Sequence, residues 1–153
     1  MTTTTQTVGG RRLSIEDVIA IAESGAQVTL STDAGFTARI DAGARYLERM
    51  LADGGTIYGV TTGYGDSCTV AVPPELVAEL PLHLTRYHGC GLGEHLGAEA
   101  TLAVLVARLN SLAQGYSGVR RVLLERLAAL INHRILPRIP AEGSVGASGD
   151  LTP

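Results

Sequence analysis

The chain has 153 residues, 45% of them apolar, and a net charge of -3 at pH 7, which excludes a disordered chain or a fibre and fits one globular domain. All twelve basic residues are arginines, spread from Arg11 to Arg138 without a basic stripe, so no nucleic-acid partner is predicted. No apolar window is long enough to cross a bilayer, and no signal peptide opens the chain, so no membrane partner is predicted.

Cysteine and histidine usage predicts no metal and no disulfide framework. Cys68 and Cys90 lie far apart without a CxxC pair, which is typical of reduced thiols in a cytoplasmic protein. His83, His95 and His133 have no spacing typical of metal ligands. We therefore expect a cytoplasmic protein without a bound metal.

The chain begins with a predicted flexible tail over residues 1–12, followed by a short helix. Ser14, with Asp17 three residues later, is typical of an N-cap, and Gly25 supplies a stop. An extended "VTL" then leads towards the second helix.

Two further helices are predicted in the first half of the chain. Ser31 or Thr32 is expected to cap the second helix, which ends at "DGG" and has one apolar face made of Phe36, Ile40, Ala44, Leu47 and Leu51. The segment "TIYGVTTGYGDS" predicts a brief extended piece and a loop. A third helix is expected from the proline pair at 73–74 to about Tyr87, with a bend at Pro81.

Two stronger amphipathic helices are predicted within residues 98–114 and 119–136. Their predicted apolar faces are Leu102, Leu105, Val106, Leu109 and Leu112 in the first, and Val122, Leu123, Leu127, Leu130 and Ile131 in the second. We see no strand run long enough for a sheet and no domain boundary. The fold class is therefore predicted to be all-α, with glycine-rich loops at 59–66, 89–97 and 143–149 as places for chemistry.

The final segment "GSVGASGDLTP" has several interpretations. Composition alone favours a flexible tail. A nucleophile elbow would need glycine where Asp150 stands, and a phosphate loop would need a lysine. A third possibility is backbone chemistry in Ala147-Ser148-Gly149, because the unshielded Gly149 nitrogen can attack the Ala147 carbonyl with loss of water. Loss of the Ser148 hydroxyl as a second water then gives an electrophilic ring without any external cofactor.

Three motifs resemble one enzyme family. "GSVGASGDLTP", "YGVTTGYG" (Tyr58 to Gly65) and "NSLAQGYSG" (Asn110 to Gly118) are similar to those of the ammonia-lyases and 2,3-aminomutases that carry a methylidene-imidazolone (MIO) group. That family includes the histidine, tyrosine and phenylalanine ammonia-lyases. The resemblance implies the all-α ammonia-lyase (fumarase/aspartase-like) fold, a homotetramer and active sites shared between subunits.

The resemblance also implies a domain organisation. Family members continue for several hundred residues beyond the motif at 147–149. Residues 13–153 would then be an amino-terminal MIO-bearing domain, truncated just after Ala-Ser-Gly, and we expect the fragment alone to be inactive.

The resemblance assigns roles to individual residues. It implies that MIO forms autocatalytically from Ala147, Ser148 and Gly149, and that Tyr58 is the catalytic base. The amides of residues 59–65 are expected to stabilise its phenolate. Without the motif, Tyr58 would be interpreted as a half-buried strand tyrosine.

The remaining expected site residues surround the substrate. Gly65, Tyr87 and His88 are expected to bind it, although a lone histidine at a helix end is more often a cap or surface group. Asp150 is expected to orient the loop, unless it is an ordinary turn carboxylate. Tyr64 is expected to serve packing.

The substrate is predicted to be an aromatic L-amino acid. Thr61, Tyr64 and Thr152 resemble the aromatic enzymes more than the histidine enzymes, and His88 would suit the phenol of tyrosine, which we place ahead of phenylalanine. Histidine ammonia-lyase activity stays open because those enzymes also carry a histidine at the position of His88. Amino migration after elimination also stays open, as does an inactive module that only self-associates.

Overall fold

The computed structural model describes residues 4–143, so residues 147–150 of the predicted site lie outside the described residues. The chain divides into two compact units. Unit 1 comprises Met1–Tyr46 and His95–Ile139, and unit 2 comprises Leu47–Glu94 and Pro140–Pro153. The elements in chain order are β1 (Thr5–Val8), α1 (Ile15–Ala22), β2 (Gln27–Leu30), α2 (Ala34–Ala52), α3 (Leu80–His88), β3 (Leu92–His95), α4 (Ala98–Leu112), α5 (Arg121–Asn132) and β4 (Pro140–Glu142).

The predicted all-α class is confirmed for the described residues, where α-helices dominate and the strands have only three or four residues. Unit 1 is built around α4, which packs against α1 and α5. The predicted apolar face of α4 is confirmed, because Leu102, Leu105, Val106, Leu109 and Leu112 are all buried. None of the helices within residues 4–143 combines the length and the apolar character needed to cross a bilayer.

The amino-terminal residues form a strand, which corrects two predictions. β1 pairs with β2 in parallel, so residues 5–8 are not a loose tail and a small sheet is present. Val8 is completely buried. The pairing escaped the sequence analysis because its stabilising contacts lie far along the chain. The Asn132 side chain accepts a hydrogen bond from Val28 N (2.7 Å) and donates one to Val28 O (2.9 Å), which satisfies the outer edge of β2.

The starts of α1 and α2 are determined by local side chains. Ser14 and Asp17 form the predicted capping box of α1. The predicted cap of α2, Ser31 or Thr32, is wrong by one or two residues, because Asp33 Oδ1 accepts the hydrogen bond from Phe36 N (2.8 Å). A carboxylate three residues before an otherwise unpaired helix N–H is well placed to accept its hydrogen bond and so to act as the N-cap. Phe36 and Ile40 are buried as predicted, whereas Leu51 is 38% exposed.

The inward face of α5 agrees with the prediction at Leu127 and Ile131 and differs from it elsewhere. Leu124, Ala128 and Ile131 are buried, whereas Val122 and Leu123 are 45% and 41% exposed. The buried residues follow the i, i+4, i+7 spacing of one helical face, and adjacent Val122 and Leu123 cannot share that face. Packing against α4 and β2 therefore determines which face of α5 is buried.

Unit 2 lacks the long third helix. A short 3-10 helix occupies Pro74–Leu76, and α3 begins separately at Leu80 with Pro81 in its first turn. Proline has no N–H to donate and is tolerated only where that N–H would be unpaired, so Pro81 marks a helix start and not a bend. After α3, the glycine-rich segment contains β3, which pairs with β4.

Candidate active site

The loop of residues 56–65, here called the tyrosine loop, is held by threonine hydroxyls within unit 2. Thr61 Oγ1 accepts a hydrogen bond from Ile57 N (2.7 Å) and contacts Gly55 O at 3.1 Å. Thr62 Oγ1 accepts one from Gly59 N (3.1 Å), and Thr62 is only 4% exposed. The two hydroxyls replace the partners that a helix or sheet would supply. The loop is therefore a closed turn and not the extended piece predicted from its β-branched start.

The end of the tyrosine loop is tied to the chain that follows it. Thr62 forms an isolated antiparallel bridge with Ala71. Gly63 N donates to Val70 O (3.1 Å), and Val72 N donates to Thr61 O (2.9 Å). Both ends of the loop are thus anchored, which limits the positions open to Tyr58 and Gly65.

Tyr58 is exposed, and its hydroxyl has a defined polar contact within the tyrosine loop. Its side chain is 63% exposed, so the half-buried strand interpretation does not apply. The backbone N–H of Gly65 donates to Tyr58 Oη at 2.9 Å, which is an amide donor of the kind predicted for residues 59–65. Gly65 has φ +57°, a left-handed conformation that suits glycine. The sequence-predicted pair of Tyr58 and Gly65 is therefore in direct contact.

Tyr64 packs against Tyr58, as the sequence analysis expected of a packing residue. The two rings are edge to face, with centroids 6.1 Å apart and an interplanar angle of 87°. Gly59, at φ +68°, permits this approach, because a Cβ there would lie 2.6 Å from Tyr64 Cε1. Burial, followed by the nearby Tyr87 and Tyr58, raises the pKa of Tyr64 above its ordinary value. Tyr64 therefore stays neutral beside Tyr58.

Tyr87 and His88 lie together at the end of α3. Their ring centroids are 4.8 Å apart with an interplanar angle of 47°, and Tyr87 is 58% exposed. His88 Nδ1 is buried and has no hydrogen-bond partner within residues 4–143. A buried ring nitrogen without a hydrogen-bond partner costs free energy, so in the described part of the chain this end of α3 is held by packing and not by a polar contact at Nδ1.

The structure thus places four of the predicted residues in unit 2: Tyr58, Gly65, Tyr87 and His88. Sequence reasoning missed the roles of Gly59, Thr61 and Thr62 in shaping the loop. The available signal was the pair of hydroxyls directly after "YGV", since threonine hydroxyls commonly satisfy backbone groups in turns. No cluster of three or more potential metal ligands occurs in the part of the chain that the structure describes.

These features define a helical protein with a tyrosine presented on a glycine-rich loop. The model of the aromatic amino acid lyase family matches residues 13–153, and the chain belongs to that family. The family resemblance inferred from the motifs is thereby confirmed.

Individual relatives agree with this assignment. The chain is 40% identical over 144 residues to histidine ammonia-lyase of Streptococcus sanguinis, a match covering 94% of this chain and 28% of that protein. Tyrosine aminomutase of Streptomyces globisporus is 36% identical with a TM-score of 0.84, over 95% of this chain and 27% of its own. Ergothionase of Treponema denticola is 30% identical with a TM-score of 0.86, over 97% of this chain and 29% of its own. The chain spans under a third of the length of each of these proteins.

Proposed function

We propose that this chain supplies the base and the MIO precursor of an enzyme that eliminates ammonia from an aromatic L-amino acid. The observation that carries the proposal is the contact between Tyr58 Oη and the Gly65 amide at 2.9 Å, on a tyrosine whose side chain is exposed to solvent. Its support is the membership of the chain in the aromatic amino acid lyase family.

Tyr58 is the group that would remove the β-proton of the substrate. Gly65 N donates a hydrogen bond to Oη, and an amide donor at this atom suits a base because hydrogen bonds to charged oxygens are stronger than those to neutral ones. A positioned general base typically accelerates a reaction by about 10² to 10⁴-fold. Because the β-hydrogen is weakly acidic and ammonia leaves poorly, the base needs help at the amine.

That help is assigned to the triad of Ala147, Ser148 and Gly149, whose residue types suit ring closure: small, with a leaving hydroxyl, and with an unshielded nitrogen. The MIO group supplies an electrophile for the substrate amine. Asp150 would orient this segment. The assignment needs no external cofactor.

The favoured substrate is tyrosine. The exposed Tyr87, whose ring lies beside that of His88, provides a polar side chain suited to a phenol hydroxyl. Tyrosine aminomutase is among the similar structures, which also makes 2,3-amino migration after elimination a candidate step. Histidine is the second candidate, because histidine ammonia-lyases are 40% identical to this chain.

The test joins this chain to the part of the Streptococcus sanguinis enzyme outside the matched segment. We expect Tyr58→Phe and Ser148→Ala each to abolish ammonia release, with only Ser148→Ala preventing the mass loss of two waters. Undiminished release by either variant would overturn the proposal. The chain without the added part is the control, and we expect it to release no ammonia.

The reaction products distinguish the candidate substrates, and the oligomeric state tests the proposed assembly. Coumarate from tyrosine supports the favoured substrate, urocanate as the only product supports histidine, and a β-amino acid indicates amino migration. The active form is proposed to be a cytoplasmic homotetramer, as the family resemblance implies. A tetramer that forms without ring closure or ammonia release would support the association module instead.

A further inference from the structure

Unit 1 contains a polar cavity of about 400 Å³ that shares no residue with the candidate active site. Three arginines, Arg11, Arg12 and Arg39, line it together with Gly9 and Gly10. Small-molecule pockets commonly have volumes of about 300 to 1,000 Å³, so the cavity is large enough for a small ligand.

The positive charges of the cavity are only partly neutralised. Arg11 forms a two-pronged ion pair with Asp17, with N–O distances of 2.6 and 2.7 Å. Within residues 4–143, Arg39 forms no ion pair: its Nε donates to Gln114 O at 3.1 Å, and its Cζ lies 5.6 Å from the centre of the Phe36 ring.

Arg12 is the free cation of this group. Its guanidinium is exposed and forms no ion pair or hydrogen bond within residues 4–143. Arg11 is neutralised by Asp17, whereas Arg12 and Arg39 have no acidic partner in the described part of the chain and so bring two positive charges to the cavity.

The backbone at the cavity adds further donors. The N–H groups of residues 9–12 donate no hydrogen bond within the described part of the chain. Gly9 has φ +91°, and a Cβ there would overlap the Phe36 ring, so glycine is required for this turn. Successive unpaired amides next to cations are typical of sites that bind anions.

We propose that this cavity binds the phosphate group of a small metabolite, with Arg12 and Arg39 as its principal side-chain ligands. A phosphate dianion matches two uncompensated charges and accepts several hydrogen bonds, and arginine presents donors in a fork that fits phosphate oxygens. Inorganic phosphate offers the same chemistry but would leave much of the cavity unfilled. A phosphomonoester with a small organic group is therefore the favoured ligand.

The test is an NMR titration of the ¹⁵N-labelled chain at constant ionic strength, with adenosine monophosphate, inorganic phosphate and chloride as separate arms. We expect saturable shifts of the amides of residues 9–12 with both phosphates and tighter binding of the monophosphate. Equal affinity for adenosine monophosphate and inorganic phosphate would show that the site recognises free phosphate, and would overturn the proposal of a phosphorylated metabolite. Shifts that chloride reproduces would overturn the site altogether.

Variants of two exposed arginines complete the test. Arg12→Gln should weaken monophosphate binding by about tenfold or more, because a hydrogen bond to a charged group is worth about 1.5–3 kcal/mol. Arg126→Gln on α5 is the matched control and should leave the affinity unchanged, since Arg126 does not line the cavity. The Arg12 guanidinium forms no hydrogen bond or ion pair within residues 4–143, so the spectrum should otherwise be preserved. Equal affinities of the two variants would contradict the assignment.

Discussion

Tyr58 and Gly65, seven residues apart, are joined by a hydrogen bond from the Gly65 amide to the phenol oxygen at 2.9 Å. The contact depends on the left-handed backbone of Gly65, where a Cβ would meet no atom within 4 Å. Backbone conformation, and not side-chain space, therefore decides which residues can replace Gly65. The threonine contacts of the tyrosine loop hold both partners in reach.

Replacement of Gly65 should separate conformation from bulk. Gly65→Asn should preserve the contact between Tyr58 and residue 65, because asparagine tolerates the left-handed region. Gly65→Val should break that contact and lower the free energy of unfolding by about 1–2 kcal/mol more than the asparagine variant does. Hydrogen exchange of the residue 65 amide measures the contact, and Tyr58→Phe provides the value without an acceptor. Equal protection of the residue 65 amide from exchange in the asparagine and valine variants would show that the backbone angle at residue 65 does not control the hydrogen bond.

Gly59→Ala should destabilise unit 2 through two effects. The left-handed conformation at φ +68° costs about 1–2 kcal/mol for alanine, and the new Cβ would also displace Tyr64. Gly54→Ala is the matched control, because Gly54 has φ +70° and an open surrounding. Thermal unfolding of both variants isolates the effect of the Tyr64 ring. A decrease in the melting temperature of Gly59→Ala no larger than that of Gly54→Ala would contradict the tight contact between Gly59 and Tyr64.

The Arg11–Asp17 pair should make unit 1 sensitive to acid. The hydrogen bond from Arg11, followed by that from the Ser14 amide, lowers the pKa of Asp17 from the ordinary 3.8 to about 2. Because the folded state favours the ionised carboxylate, this contribution is present above pH 4 and is lost as the pH falls towards 2. Asp17→Asn should flatten the dependence of the free energy of unfolding on pH in that window. The exposed Asp53→Asn variant is the control for loss of a carboxylate, and identical curves for the two variants would refute the role of Asp17.

Asn132→Ala should destabilise unit 1 strongly. It would leave the buried N–H and C=O of Val28 without partners, and each unpaired buried group costs about 1–3 kcal/mol. His133→Ala, at the exposed neighbouring position, should have little effect. Urea unfolding of the two variants provides the comparison. A small loss for Asn132→Ala would mean that water replaces the side chain at the strand edge.

Much of the helical framework could be predicted because its signals are local. The capping box of Ser14 and Asp17 lies within four residues, and the apolar spacing of α4 needs no knowledge of its neighbours. The family could also be assigned from three short motifs, since the types and order of their residues are specific. The start of α3 was missed because the sequence allows Pro81 either to bend a helix or to begin one.

Long-range contacts decided the rest. The strand character of residues 5–8 depends on pairing with β2, whose outer edge is satisfied by Asn132, 104 residues away from Val28. The inward face of α5 was chosen by its packing partners among several apolar residues on its surface. Local signals were therefore sufficient for most helices and for the family, whereas the role of Tyr58 as the base stays a prediction. Folding in three dimensions was needed to place Tyr58 against Gly65 and Tyr64 and to gather Arg12 and Arg39 at one cavity, because side-chain contacts depend on how the backbone closes and not on spacing along the chain.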